Sequence, residues 1–585
     1  MKQIVLVAKQ IILVSKQIAF VLALAYLFFS CKKASFLDNN TSSNLNESTI
    51  FADSALTTGF LINIYQNTPF SFNKQRWEIG STEQATDDAE YTLSSPARRT
   101  VILYSSSYTP QNFPFFDFWG TPYTNIRSTN LLLSKLPVTP LSPATRKKVA
   151  AEARFLRAWF YENLVINFGG VPLIGDKVFG ITDVVNFPRN SFAETIDYIS
   201  KQLDTAALDL PAPSDQPEAE YGRVTKGACL ALKSRLLLYA ASPLFNGGAF
   251  TPATADQVKL VSYPVYDVNY WQKAADAANA VIQSGYYSLY KDNTTAPGYG
   301  FYQVFLKRVN PEYIFFYNRA PNRDMETIYN PGSRGGGRYS QPSQNLTECF
   351  PMKNGKPITD PASGYDPVNP YTNRDPRFGY SIIYNGSLYY STNGNAKTAV
   401  LTYVGSPNGD GFGSTLTGYY GRKMCDENIS ANSGFTTDRG WPLIRYAEIL
   451  LNYAEAINET GQTALAYPTL IQLRDRAGID PGTDGLYGIA AGMGVSEMRT
   501  FIQNERRIEL AFEDHRWDDV RRWKIAMVTQ NGYNKCMKIT KTGSVYTYQV
   551  LNATDLHRFN PNNYILPIPN SEILKAPAML QNPGW

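Results

Sequence analysis

The stretch 505–523, "ERRIELAFEDHRWDDVRRW", carries the densest set of groups able to move protons or hold ions. Glu505, Arg506, Glu509, Glu513, Arg516, Asp518 and Arg521 recur at steps that allow ion pairs three and four residues apart on a helix. Glycoside hydrolysis would need two carboxylates flanking an open groove, one of them kept protonated. Guanidinium groups at this density lower carboxylate pKa values instead, which is wrong for a general acid. The expectation is structural ion pairing and no catalytic residue. "RDPRF" reads the same way: Arg374, Asp375 and Arg377 should pair among themselves, with Pro376 keeping Asp375 out of a helix. The chain has 2 histidines, His515 and His557. No HExxH spacing exists, and a histidine-rich metal site cannot be assembled. No catalytic histidine, metal site or cofactor is expected.

Helical periodicity positions these groups. Ser142-Pro143 is a start signal, and Val149, Ala153, Leu156, Phe160 and Leu164 then recur on one face until Gly169-Gly170. Thr225 opens a second helix that stops at Pro243. Trp271, Ala275, Ala278 and Ile282 line a third, ended by Gly285. Leu443, Ala447, Leu450, Ala454 and Ile457 line a fourth, and Ser496 begins a fifth that is expected to run through Trp523. Small residues on these faces suit close helix pairs, although no strict repeat consensus is present. Residues 286–440 lose this period and are rich in Gly, Pro, Asn and Tyr. Short strands are expected at "EYIFFYN" and "YSIIYN". The terminal stretch from Leu566-Pro567 to "QNPGW" reads as extended loop.

The first residues place the protein. Lys2, Lys9 and Lys16 precede an apolar run of about a dozen residues, Ile18–Phe29, short of the ~20 that span a bilayer as a helix. Ser30-Cys31 follows. The stretch 1–30 resembles a bacterial lipoprotein signal, which implies lipidation of Cys31. Cys31 and the polar stretch that follows, within "KKASFLDNNTSSNLNEST" at 32–49, then read as lipidated N-terminus and tether, 31–48. Net charge is +5 for 585 residues and +2 without those three lysines, too mild for nucleic-acid binding. Cys229, Cys349, Cys425 and Cys536 lie far apart without CxxC spacing, so they are either paired after export or buried as free thiols.

Stretches along almost the whole mature chain resemble the SusD/RagB family of outer-membrane lipoproteins. They include "NIRSTNLLL" at 125–133, "AEARFLRAWFYENLVINFGGVPLI" at 151–174 and "GRVTKGACLALKSRLLLYAASP" at 222–243. "YDPVNPYTNRDPRF", "RYAEILLNYAEAINE", "NERRIELAFEDHRWDDVRRW" and "QNPGW" follow in order. The resemblance implies a mainly α fold, with tetratricopeptide-like helix pairs as scaffold, a large irregular region and a few short strands. It implies an N-terminal helical region, 49–285, and a C-terminal region, 286–585, packed as one compact unit. It also implies a lipid-anchored cell-surface subunit that captures nutrient, usually glycan, for a partner TonB-dependent SusC-like β-barrel. A peptide-binding member of the family and a glycoside hydrolase on a helical scaffold are the alternatives.

Ligand contacts are expected where those motifs are silent. Sugars present apolar C–H faces and hydroxyl rims, which call for flat aromatics beside polar groups. With 39 Tyr and 8 Trp the chain is well supplied. Two segments fit: "NKQRWEIGSTEQATDDAEY", contributing Trp77, Asp88 and Tyr91, and "RDMETIYNPGSRGGGRYS", contributing Tyr329, Arg334 and Tyr339. Trp77 lies outside the family motifs. Trp119, Trp159, Trp271, Trp441, Trp517 and Trp523 lie within them.

Overall fold

The computed structural model describes residues 46–68, 81–93, 95–180, 182–248, 250, 252–390, 396–429 and 433–585. The expectations for Cys31 and Trp77 lie outside these residues. Contacts divide the described chain into a small unit, 46–57 with 138–140, and a large one, 58–137 with 141–585. In the small unit Asn46 caps the helix Glu47–Phe51, its side chain accepting from the Thr49 N–H at 2.9 Å. The large unit runs without division across residue 285.

Helices dominate the large unit. Pro143–Phe168 begins where the Ser142 hydroxyl accepts from the Thr145 N–H at 3.2 Å and proline occupies the first turn. It stops at Gly169, whose φ of +77° favours glycine and where a Cβ would meet the Leu260 carbonyl oxygen at 2.5 Å. Arg189 closes that end, donating to the Phe168 and Gly170 carbonyls at 2.7 Å each and tying in Asn582 near the C-terminus at 2.8 Å. Phe192–Asp209 starts with a capping box between Ser191 and Glu194. Helices Phe116–Lys135, Pro143–Phe168, Phe192–Asp209, Lys226–Ala241, Asn269–Gln283, Tyr446–Glu459 and Val495–Glu509 pack each against the next. This ladder is the helix-pair scaffold.

Residues 286–440 contribute short helices and two-stranded pairings. Tyr313–Asn318 is the expected strand at "EYIFFYN" and pairs antiparallel with Gly440–Arg445. At "YSIIYN" the strand is only Ile382–Ile383, because a helix from Pro376 runs to Ser381. A core of distant residues, among them Phe301, Tyr329, Phe350, Ile383, Tyr420, Ile508 and Ile539, fills this region.

Four boundaries differ from the sequence reading. Leu443 belongs to the strand Gly440–Arg445, so the fourth helix begins at Tyr446. The fifth begins at Val495 and ends at Glu509, and a new helix runs from Arg516 to Arg522. Between them Phe512 and Asp514 adopt φ of +62° and +66°, which no continuous helix tolerates. A hairpin, Gly532–Thr542 with Val545–His557, follows where no strand had been read. Asn570–Lys575 is a short helix inside the expected terminal loop. Cys229, Cys349, Cys425 and Cys536 are free thiols. Among the described residues no helix is long and apolar enough to cross a membrane.

Candidate ligand-binding site

The arginine–carboxylate string folds into a buried lattice that draws in distant segments. Arg377 bonds Asp375, Glu505 and Glu509 at 2.8, 2.7 and 2.9 Å. Arg445 bonds Glu312, Glu509 and Glu513 at 2.6, 2.8 and 2.6 Å, Arg476 joins Glu312 and Glu509, and Lys423 joins Glu513 at 2.6 Å. Burial alone would push the Glu509 carboxyl up. Arg476, Arg445 and Arg377 outweigh it and hold the group well below the usual carboxylate range. Glu505 and Glu513 are lowered in the same way. Burial draws Lys423 down to about 8 despite Glu513. Arg377 and Asp375 therefore pair as the motif suggested, whereas Arg374 donates to the Thr347, Phe350 and Pro370 carbonyls.

The two segments named for ligand contact meet. Ala89–Tyr91 pairs antiparallel with Ser340–Pro342, and Gln84 donates to the Tyr339 carbonyl at 3.0 Å. Their side chains divide by depth. Asp88 is buried against Arg507 at 2.5 Å; burial, its leading influence, leaves its pKa raised. Tyr91 and Tyr329 are buried, and Tyr329 packs edge-on against Phe512 with centroids 5.6 Å apart. Arg334 is buried too and donates to Ser333 and Thr398 at 2.7 and 2.9 Å. Tyr339 is half-buried.

A different cluster forms a chamber. Trp159 and Glu162 stand three residues apart on Pro143–Phe168, Trp441 comes from Gly440–Arg445, and Trp517 with Asp518 comes from Arg516–Arg522. They line a cavity of about 120 Å³ that also touches Thr82. Half-buried Asn163, Ile166 and Leu443 line it too. The indole N–H groups of Trp159 and Trp517 and the Oε1 atom of Glu162 have no hydrogen-bond partner among the described residues. Each of these residues is at most 3% exposed.

The electrostatics of the chamber are unbalanced. Burial pushes Glu162 up to about 7; Arg235 opposes this, while Asp518 and Glu448 add to it. Arg235 is already committed to Glu448 through bonds of 2.7 and 2.6 Å. Burial likewise raises Asp518 to about 6, although Arg521 stands 3.2 Å away. This corrects the expectation that arginines hold every carboxylate of the 505–523 string low. His515 is pushed well below its usual range by burial and by Arg506 and Arg235, so it stays neutral. Sequence reading placed these tryptophans within the family motifs and expected ligand contacts elsewhere. The available signals were the Trp159–Glu162 spacing on one helical face and the adjacent Trp517-Asp518 pair.

Comparison with known proteins agrees with this fold. Residues 306–585 match the family model described as SusD family, and residues 35–238 match one described as starch-binding associating with outer membrane. The chain belongs to the SusD/RagB family. SusD-like protein P38 of Formosa agariphila is 25% identical over 455 residues, covering 75% of this chain and 78% of that protein. The solved structure of a SusD-like protein from Bacteroides fragilis is 25% identical with a TM-score of 0.74, over 92% of this chain and 98% of that one. A SusD-like carbohydrate binding protein from the same organism has the same fold, at 24% identity and TM-score 0.70, over 91% of this chain and 99% of that one.

Proposed function

We propose that the protein captures glycan at the surface of an outer membrane and delivers it to a TonB-dependent SusC-like β-barrel, anchored there by a lipid on Cys31. The observation that carries the glycan part is the match of residues 35–238 to a starch-binding, outer-membrane-associating model. The name of the B. fragilis carbohydrate binding protein points the same way. Serine followed by Cys31 after the apolar run supports the anchor. We place ligand contact at Trp77 and half-buried Tyr339. Asp88, Tyr91, Tyr329 and Arg334 belong to the same two segments, which the pairing of 89–91 with 340–342 joins, but their side chains are buried. The protein acts by binding, without catalysis.

Affinity electrophoresis against a panel of soluble glycans tests this reading, with calorimetry on any that retard the protein. Trp77→Ala is expected to weaken binding about thirtyfold, the loss typical of an aromatic anchor, at unchanged melting temperature. A variant that melts early and binds normally would place Trp77 in the core. Glu162 and Asp518, raised to about 7 and 6 beside one cavity, give the hydrolase alternative its one foothold. Release of reducing ends from the panel would establish that alternative. Co-purification of a large β-barrel from native membranes checks the partner, and membrane fractionation of Cys31→Ala checks the anchor.

A further inference from the structure

The tryptophan chamber keeps three buried polar atoms without partners among the described residues: the indole N–H groups of Trp159 and Trp517 and the Oε1 atom of Glu162. Buried polar groups are nearly always satisfied, and an unmet one lowers stability. Three around a single cavity therefore call for an occupant. Two of the three donate. The third accepts when ionised and donates when protonated, and its pKa of about 7 makes both forms accessible near neutrality.

The chemistry of the walls narrows the occupant. An anion would accept from both indoles but would face Glu162 and Asp518. A simple ammonium ion would suit the carboxyls and the aromatic faces but leave both N–H groups unmet. A hydroxyl group donates and accepts, so a ring carrying several hydroxyls meets all three atoms at once. Its C–H faces suit the flat indoles of Trp159, Trp441 and Trp517. About 120 Å³ of room is several times what one water needs.

We propose that this chamber is a further binding site and that it takes a single neutral polyhydroxylated ring, one sugar residue. Trp159 and Trp517 donate to its oxygens and Glu162 receives one of its hydroxyls. The proposal rests on the glycan-binding reading but names a place that reading does not require. Asn163, Ile166 and Leu443 of its lining are half-buried, so the chamber is not sealed by fully buried residues on every side.

Conservative variants test it: Trp159→Phe and Trp517→Phe keep a ring and remove the N–H, and Glu162→Gln keeps the shape and removes the acid. The probes are neutral monosaccharides and their linear oligosaccharides, from glucose, xylose, mannose and galactose, measured by calorimetry beside tetramethylammonium and inorganic phosphate. At least one sugar should bind the wild type, and each variant should weaken it about tenfold. Melting temperatures should be unchanged or higher, because the two N–H groups and Glu162 Oε1 have no partner among the described residues and a glutamine oxygen can still accept from Asn163, as Glu162 does at 3.4 Å. Lower melting temperatures with unchanged sugar binding would make the chamber structural and overturn the site. Wild-type binding of tetramethylammonium or phosphate that the chamber variants lose, in place of a sugar, would overturn the ligand class. Sugar binding that falls in Trp77→Ala and stays whole in all three chamber variants would remove the chamber and leave the glycan reading standing. Absence of sugar binding by the wild type would remove both.

Discussion

The ion-pair lattice and the tryptophan chamber are built from the same kinds of residue and share Glu513, yet they end in opposite states. In the lattice every carboxylate meets guanidinium or ammonium groups, and Glu509 alone faces Arg377, Arg445 and Arg476. In the chamber Arg235 is spent on Glu448, and Glu162 is left with its charge uncompensated. Glu509 and Glu162 are both buried, so burial does not separate these two carboxyls; the supply of partners does. A lattice of this kind ties the irregular region to the helices through residues far apart in sequence, Glu312, Arg377, Arg445, Arg476 and Glu509. A chamber that leaves donors and an acid unmet gives up stability, as binding sites commonly do.

The largest expected effect comes from breaking the lattice. Arg445→Met removes one partner each from Glu312, Glu509 and Glu513 at once and should cost about 3–5 kcal/mol, because three buried carboxylates lose part of their compensation. Denaturant unfolding at pH 7 measures it. A cost below about 1 kcal/mol would mean that the lattice relaxes or hydrates easily, and the contrast with the chamber would fade.

Acid should separate the two regions next. Glu505, Glu509 and Glu513 have folded pKa values below the ordinary 4.5, so the unfolded chain takes up protons first as pH falls. Their stabilisation is present above about pH 4.5 and is lost progressively below it. Melting temperature against pH should drop steeply in that range, and the drop should be shallower in Arg445→Met.

Glu162 has the opposite sign. Its folded pKa of about 7 lies above the ordinary 4.5, so the folded state holds its proton longer than the unfolded chain. Stability from this group is complete below about pH 4.5 and is lost as pH rises through 7. Glu162→Gln should therefore stabilise the protein by about 1–3 kcal/mol at pH 8 and change little at pH 4. Equal shifts at both values would show that the carboxyl is charged and satisfied in the fold. The smallest effect belongs to Trp517→Phe, expected within about 1 kcal/mol of wild type, since the lost N–H has no partner among the described residues.

The parts of the fold legible from sequence are those specified locally. Ser142-Pro143 and Gly169-Gly170 bracket the helix Pro143–Phe168, and Trp271, Ala275 and Ala278 lie buried on a helix as their spacing predicted. The family stretches at 151–174, 222–243 and 445–459 pointed to the scaffold for the same reason, because each contains most of one scaffold helix. The break after Glu509 was not legible. Residues 505–523 have good helical spacing, but a straight helix could not direct Glu513 to Arg445 and Lys423 while Arg516 reaches Asp87 at 2.8 Å. Tertiary ion pairs overrode local preference, with Phe512 and Asp514 taking positive φ at a cost of ~1–3 kcal/mol each.

The candidate sites divide along the same line. The sequence by itself determined residue chemistry: which segments are aromatic and polar, that two histidines cannot make a metal site, and that arginines and carboxylates would pair. Only the tertiary structure decided depth and company. It put Asp88, Tyr91 and Tyr329 inside, left Tyr339 half-open, and gathered Trp159, Glu162, Trp441 and Trp517 from three distant elements around one cavity. Helical spacing states which residues share a face. Whether a polar atom on that face finds a partner depends on what the rest of the chain brings against it.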